Sequence, residues 1–306
     1  QEPEGIVRLG PEPQASRESR VESADMPFSI ENTRQFLVRP GFRLADVKPA
    51  STPDVSSEAE LAKDVAQHDK EISDLQENLW ANARTGVEGT GAVLLVLQGM
   101  DTSGKGGLIK RLARVMHPMG LSFHAFGKPT AEEASHDFLW RVRPQLPDPG
   151  EIAVFDRSHY EDVLVQKVEG HADGAEIERR YGAIVDFENG IAASGTRIIK
   201  VMLHISREFQ YANLVERLTD EKKMWKFDRA DLVVRSKWGE YMAAYQIALE
   251  RTSTRTAPWY VIPGDNKEYA RMVVKHLLVE QLRELQQPWP RPVDDLEAAR
   301  KHLDAT

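Results

Sequence analysis

Cysteine is missing altogether from the 306 residues of this chain. That excludes disulfides, thiolate metal sites and a cysteine nucleophile. Long apolar runs are missing too, so no stretch spans a bilayer as a helix and no membrane partner is expected. The opening residues, QEPEGIVRLGPEPQ, lack the basic-then-apolar order of a secretory signal. The lack of cysteine fits a cytoplasmic protein. Positive charge is scarce: 40 Lys and Arg face 48 Asp and Glu, a formal net charge of −8. Broad nucleic-acid binding is therefore not expected, and a polyanionic substrate requires a local basic channel.

What is present is organised around Val93–Arg114, VLLVLQGMDTSGKGGLIKRLAR. Val93 to Leu97 is an unbroken apolar run and reads as a strand buried on both faces. Gly99, Met100, Asp101, Thr102, Ser103, Gly104 and Lys105 form a glycine-bounded loop. Leu108, Leu112 and Val115 then recur at helical spacing. Strand, glycine loop and helix are the context that gives G-x-x-x-x-G-K its meaning. A backbone that bends around a polyphosphate favours positions without a Cβ. The loop N–H groups and the helix start offer donors to phosphate oxygens, and Lys105 adds a full charge. Gly99, Thr102, Ser103, Gly104, Lys105, Gly106 and Gly107 are thus candidate phosphate binders. The other reading is a glycine-rich turn with no ligand. One expected group is lacking: Gly106 stands where a Ser or Thr hydroxyl usually helps hold Mg²⁺. Asp101 is the nearest substitute.

Around this unit the chain alternates. Residues 1–30, rich in Glu, Pro, Ser and Arg, read as a poorly structured arm. Residues 31–85 form an extended lead-in and a long helix, opened by a Ser57/Glu60 capping box. Leu61, Val65, His68, Ile72, Leu75 and Leu79 make an apolar stripe over about 40 Å. That stripe suits packing on the domain surface or a seam between subunits. Strands are predicted at Leu121–Phe126, Glu151–Phe155, Thr196–Ile205 and Pro258–Ile262. Helices are predicted at Ala131–Val142, His159–Val168, Glu176–Ala193, Arg207–Leu218, Asp231–Arg251 and Glu268–Leu285. This order implies an α/β domain over 86–287, with a five-stranded parallel sheet covered on both faces by helices. Its crevice lies beyond the carboxyl ends of the strands. Residues 288–306 form a charged tail.

The strand ending Ile152-Ala-Val-Phe155 leads into Asp156 and Arg157. An acid there is the Walker B arrangement, so Asp101 and Asp156 are the candidate Mg²⁺ ligands. Arg157 suits phosphate recognition. The plainer reading makes Asp156 a helix cap and Arg157 a surface ion-pair partner. Asp137 and Arg141, four apart on a predicted helix, either pair at the surface or line a nucleotide site. His136 and His159 fit solvated or capping roles. The segment Arg217–Phe227 interrupts the pattern with a basic, aromatic centre at Lys222, Lys223, Trp225 and Lys226, as a lid closing on phosphates requires, and places that lid around 207–230. An ordinary basic loop is the alternative. From the residues alone, the chain is a P-loop phosphotransferase.

The stretches LQGMDTSGKGG, KPTAEEASHDFLWR, GEIAVFDRSHYEDVL, HISREFQ with its following WKF, and RTSTRTAPWYVIPGDNKEYAR carry a closer likeness. From about Phe36 to Leu285 the chain resembles the polyphosphate kinase 2 family. The resemblance implies a P-loop kinase fold with a helical lid. It also implies Mg²⁺-dependent exchange of phosphoryl groups between inorganic polyphosphate and a nucleotide (ADP, AMP or ATP, with guanine nucleotides as further candidates). Asp101, Lys105, Asp156 and Arg157 match the family's catalytic positions. Arg217, Lys222 and Lys226 match the closing segment, and Lys128 lies in the family's K-P-T segment. HDFLWR and RSHYEDVL look most like the subgroup accepting AMP as well as ADP, although this chain has Asp156 where that subgroup often has Asn. A homodimer or homotetramer is expected. An ATP-dependent nucleotide kinase and a non-catalytic nucleotide- or polyphosphate-binding module are the rival readings.

Overall fold

The computed structural model describes residues 28–291 and 295–306. The predicted arm, residues 1–30, falls outside that description except for its last three positions. Five strands form one sheet: β1 Ala92–Gln98, β2 Leu121–Ala125, β3 Ile152–Asp156, β4 Thr196–His204 and β5 Trp259–Pro263. Their order is β2-β3-β1-β4-β5, and every pairing is parallel. The helices are α1 Ile30–Thr33, α2 Glu58–Arg84, α3 Lys105–Leu112, α4 Ala131–Ser135, α5 Val165–Val168 and α6 Gly174–Ala193. They continue with α7 Arg207–Thr219, α8 Ala230–Ser236, α9 Trp238–Thr252, α10 Lys267–Leu285 and α11 Leu296–Asp304.

β1 is the axis of the fold because each of its seven residues is buried. Successive side chains of a strand point to opposite faces, and the core divides accordingly. Leu94 and Val96 join Phe155, Ile184 of α6 and Tyr245 of α9 in one cluster. Val93, Leu95 and Leu97 join Leu108 and Leu112 of α3, Ile72 of α2 and Val273 of α10 in the other. The register sets Leu97 beside both Asp156 of β3 and Val201 of β4. The end of β1 and the end of β3 therefore open at one level, and the loop after β1 meets the acid that closes β3.

The apolar stripe of α2 packs on α10 of the same chain, with Leu61, Ile72, Leu75 and Leu79 in one cluster with Val274, Leu277 and Leu278. It is covered, and no longer argues for a subunit seam. The Ser57 hydroxyl caps the helix by accepting the Glu60 N–H at 3.2 Å. The return arm differs from the predicted box: the Glu60 carboxylate accepts from the Ser56 N–H and hydroxyl instead.

Three predicted helices are shorter or divided. The helix expected over Ala131–Val142 stops at Ser135, because His136 turns extended (φ −106°, ψ 171°). The Asp137 carboxylate then accepts the Leu139 N–H at 3.0 Å and so forms a turn. Asp137 and Arg141 consequently share no helix face. His159–Val168 resolves into a 3-10 turn over His159–Asp162 followed by α5. Asp231–Arg251 resolves into α8 and α9, parted at Lys237, whose ammonium reaches Glu169 at 2.6 Å. His159 is wholly buried at 3.3 Å from the Glu188 carboxylate, which corrects its expected solvated or capping role. His136 is exposed and stacks on Trp140.

Candidate active site

The loop between β1 and α3 needs its glycines for different reasons. At Gly99 (φ +143°) a Cβ would meet the Leu203 carbonyl oxygen at 2.6 Å and Ser103 Oγ at 2.9 Å. Gly104 caps α3 in a left-handed conformation, φ +100°. Together they turn the loop back over the start of α3, where backbone N–H groups lack helical partners. The Lys105 side chain folds into this loop. Its Nζ donates to the Gly99 carbonyl at 2.8 Å, with Met100 O and Ser103 Oγ each at 3.4 Å. Burial pushes the Lys105 ammonium below its usual range, while Asp156 and Asp101 pull it back up.

Asp101 and Arg157 meet across the mouth of this loop: the Arg157 guanidinium donates to Asp101 Oδ1. Arg157 holds an uncommon positive φ of +64° and also lies 3.6 Å from Glu161. Burial opposes the Arg157 charge, but the Glu161 and Asp101 carboxylates outweigh it and hold the group ionised. Burial raises the Glu161 carboxyl, against the pull of Arg157 and Lys105. Tyr245 completes the cluster by accepting the Gly99 N–H at 3.2 Å.

A cleft of about 750 Å³ opens at this point. Asp101 to Gly107, Asp156 and Arg157 line one part of it. Asn213, Glu216 and Arg217 of α7, then Lys223, Trp225 and Lys226, then Lys267 and Arg271 of α10 line the rest. Seven basic side chains thus face three carboxylates, a local positive field in an acidic chain. Several of the cleft's cations are held by neighbours. Arg217 pairs with Asp231 at 2.7 Å and donates to the Lys226 carbonyl. Lys223 pairs with Glu216, and Lys267 donates to Asn213 Oδ1 at 2.9 Å. A second cleft of about 680 Å³ lies at the opposite, amino-terminal ends of β1 and β4, beside Gly91 and Thr196. Parallel sheets place their chemistry at the carboxyl ends of strands, so the cleft at the phosphate loop is the relevant one.

The structure brings Asp101, Thr102, Ser103, Gly104, Lys105, Gly106, Gly107, Asp156, Arg157, Arg217 and Lys226 to one cleft. Gly99 lies beneath it, and Lys128, Lys222, Asp137 and Arg141 lie outside its lining. Lys128, Lys222 and Asp137 are exposed. Arg141 is buried, donates to the Gly127 carbonyl at 2.9 Å and faces Asp162 at 3.6 Å, so it braces the strap that carries Lys128. Sequence reasoning named no site role for Glu161, Tyr245, Asn213, Lys267 or Arg271. Glu161 had a usable signal, since it stands four residues beyond Arg157 in a run already singled out.

Strand order, phosphate loop and strand-terminal acid together define a P-loop phosphotransferase. The sequence model of the polyphosphate kinase 2 family matches residues 60–289. The chain belongs to that family and is a polyphosphate:nucleotide phosphotransferase. It is 42% identical over 245 residues to the AMP/ADP-polyphosphate phosphotransferase of Meiothermus ruber, covering 78% of this chain and 90% of that one. It is 38% identical to the ADP-polyphosphate phosphotransferase of Rhodopseudomonas palustris, covering 76% and 81%. The crystal structure of polyphosphate kinase 2 from Arthrobacter aurescens TC1 superposes with a TM-score of 0.87 at 44% identity, covering 92% of this chain and 99% of that one. Phosphotransferases of this kind generally need a divalent metal. Asp101 and Asp156 offer the oxygen donors such an ion takes, and both line the cleft. Among the described residues, no helix is long and apolar enough to cross a membrane.

Proposed function

We propose that this enzyme transfers the terminal phosphoryl group of inorganic polyphosphate to ADP, making ATP, and to AMP, making ADP. The observation that carries the proposal is the composition of the cleft: a phosphate loop with Asp101 and Asp156, in a lining that also holds seven cations. A phosphoryl donor that is a long polyanion needs more positive charge than a single triphosphate does. The names of the Meiothermus ruber and Rhodopseudomonas palustris relatives support the acceptors. The cytoplasm, where nucleotide pools lie, is the proposed compartment.

The loop N–H groups and Lys105 hold the phosphates, and Arg157 supplies planar donors to the oxygens of the group in transit. Arg217, Lys223, Lys226, Lys267 and Arg271 bind the chain of the donor. Trp225 and the α7 segment shield the cleft from water as it fills. Mg²⁺ held by Asp101 and Asp156 would offset charge on the phosphate oxygens. One phosphoanhydride replaces another, so the reaction runs either way with concentration. No covalent enzyme intermediate is needed.

The test is chromatographic analysis of nucleotides after mixing the enzyme with long-chain polyphosphate, with and without Mg²⁺, and with ADP, AMP, GDP or GMP in separate tubes. ATP from ADP supports the reading. ADP appearing before ATP in the AMP tube supports the second acceptor despite Asp156. Loss of both products when Mg²⁺ is replaced by chelator supports the metal. Phosphate gain that requires ATP as donor sinks the proposal.

A further inference from the structure

A second polar cluster sits far along the chain from the phosphate loop, where α2 crosses α10. Asp64 and His68 lie four residues apart on α2, so they share one face. His276 projects from α10 toward them. His276 Nε2 lies 3.0 Å from each Asp64 carboxylate oxygen, and His68 Nδ1 lies 3.2 Å from Asp64 Oδ1. The two imidazole rings are in contact, with centroids 3.9 Å apart. Both histidines are buried, at 8% and 4% exposure. The ring of Phe28 packs edge-on against His276. Among the described residues this trio gathers three ligand atoms within 4.8 Å of one another.

His68 Nδ1 also lies 2.9 Å from the Asp64 carbonyl oxygen. A divalent ion at this point would take lone pairs from two neutral imidazoles and one carboxylate together. We propose that Asp64, His68 and His276 form a binding site for one zinc-class divalent ion that staples α2 to α10. Four-coordinate zinc with bonds of about 2.0–2.2 Å sets its ligand atoms roughly 3.3–3.5 Å apart. The observed 3.0 and 3.2 Å separations need to open by only a few tenths of an ångström. Asp64 is slightly exposed, which leaves a path for the ion and room for water as a fourth ligand. Imidazole nitrogens select Zn²⁺, Co²⁺ or Ni²⁺ over Mg²⁺, so this ion differs from the one that serves the reaction. The site also reaches the chemistry: α10 carries Lys267 and Arg271 into the cleft, about two and a half and one and a half turns before His276.

The experiment uses the full chain without a histidine tag, stripped with chelator and kept in excess Mg²⁺ so that Asp101 and Asp156 are occupied. Zn²⁺ is titrated by calorimetry and Co²⁺ by visible absorption, and thermal unfolding is followed with and without Zn²⁺. The proposal expects one Zn²⁺ per chain, a raised unfolding temperature reversed by chelator, and the intense visible band of four-coordinate Co²⁺. Binding weakens at least about 10-fold in His68→Gln and in His276→Gln, as loss of a ligand demands when loss of even a supporting partner costs that much. Asp101→Asn binds as the wild type does. No Zn²⁺ uptake by the wild type overturns the proposal, as does uptake lost in Asp101→Asn but kept in both glutamine variants. Should the glutamine variants fail to fold, X-ray absorption of the wild-type zinc form decides: two imidazole ligands support the site, and an all-oxygen shell refutes it.

Discussion

The Arg157 guanidinium donates to the Asp101 carboxylate across the mouth of the phosphate loop. The two groups come from the loop after β1 and the residue after β3, which the sheet register brings to one level. In the proposed reaction Asp101 would hold the metal and Arg157 the phosphoryl oxygens, so filling the cleft would break this pair.

Arg157→Lys keeps the charge but loses the planar fork. We expect kcat to fall by about 10²–10³-fold, the range seen when one donor to a transition state is removed, with a smaller change in KM. Asp101→Asn and Asp156→Asn should each lower Mg²⁺-dependent transfer by a similar factor. Steady-state rates across Mg²⁺ concentrations check this. Wild-type rates in the two asparagine variants would refute the assignment of both carboxylates.

Neighbouring glycines of the loop should answer differently to substitution. Gly99→Ala places a methyl against the Leu203 carbonyl at a positive φ, and should cost about 1–3 kcal/mol of stability. At Gly106 nothing lies within 4 Å of an added Cβ. Gly106→Ser should therefore fold as well as the wild type or gain up to about 0.5 kcal/mol, because glycine is a poor helix residue. Urea unfolding of the two variants checks both. Equal loss in both would mean that the space around Gly106 is not free.

Much of the sheet was legible because buried parallel strands are continuous apolar runs, and β1 and β3 are such runs up to their last residue. The phosphate loop and Asp156 were legible because their neighbours in sequence are also their neighbours in space. The segment after Thr130 was not. Its capping box and i, i+4 spacing imitate a longer helix, whereas the Asp137 side chain captures the Leu139 N–H and Arg141 is drawn to the Gly127 carbonyl. In the lid, the basic cluster was visible but its facing was not. Turns have no fixed side-chain period, so Lys223 and Lys226 enter the cleft while Lys222 stays outside. Lys267 and Arg271 reach the cleft through the packing of α10 on the sheet, which no local pattern announces.

A buried ion pair underlies the segment that carries Arg157. Lys200 of β4 donates to Glu188 of α6 at 2.5 Å, to the Tyr160 hydroxyl at 2.8 Å and to the Thr252 carbonyl at 2.8 Å. Both charges are fully buried. Lys200→Met leaves Glu188 without its cation and should cost about 3–5 kcal/mol. Pairing it with Glu188→Gln should recover part of that loss. Denaturant midpoints of the single and double variants check this, and a Lys200→Met cost within about 0.5 kcal/mol of zero, the ordinary surface range, would contradict it.

Stability of the chelator-stripped protein should depend on acid through Asp64. Burial pushes its carboxyl up, but hydrogen bonds from His276 and His68 prevail and lower it to about 2 from an ordinary 3.8. A depressed carboxyl contributes stability above its unfolded value, and loses it as pH falls through the folded one. The shift corresponds to about 2 kcal/mol, present above pH 5 and lost progressively toward pH 2. The stability difference between wild type and Asp64→Asn should narrow by that amount across the window. A pH-independent difference would show that the carboxylate is not held in this way.

The central claim is that polyphosphate itself is the phosphoryl donor at the phosphate-loop cleft. Incubating the enzyme with ³²P-labelled polyphosphate, unlabelled ADP and Mg²⁺, with no ATP supplied, tests it most directly. The account predicts label in the terminal phosphate of newly made ATP, and a rate reduced about 10²–10³-fold in Lys105→Met. Absence of labelled ATP, or equal labelling by Lys105→Met, would contradict it.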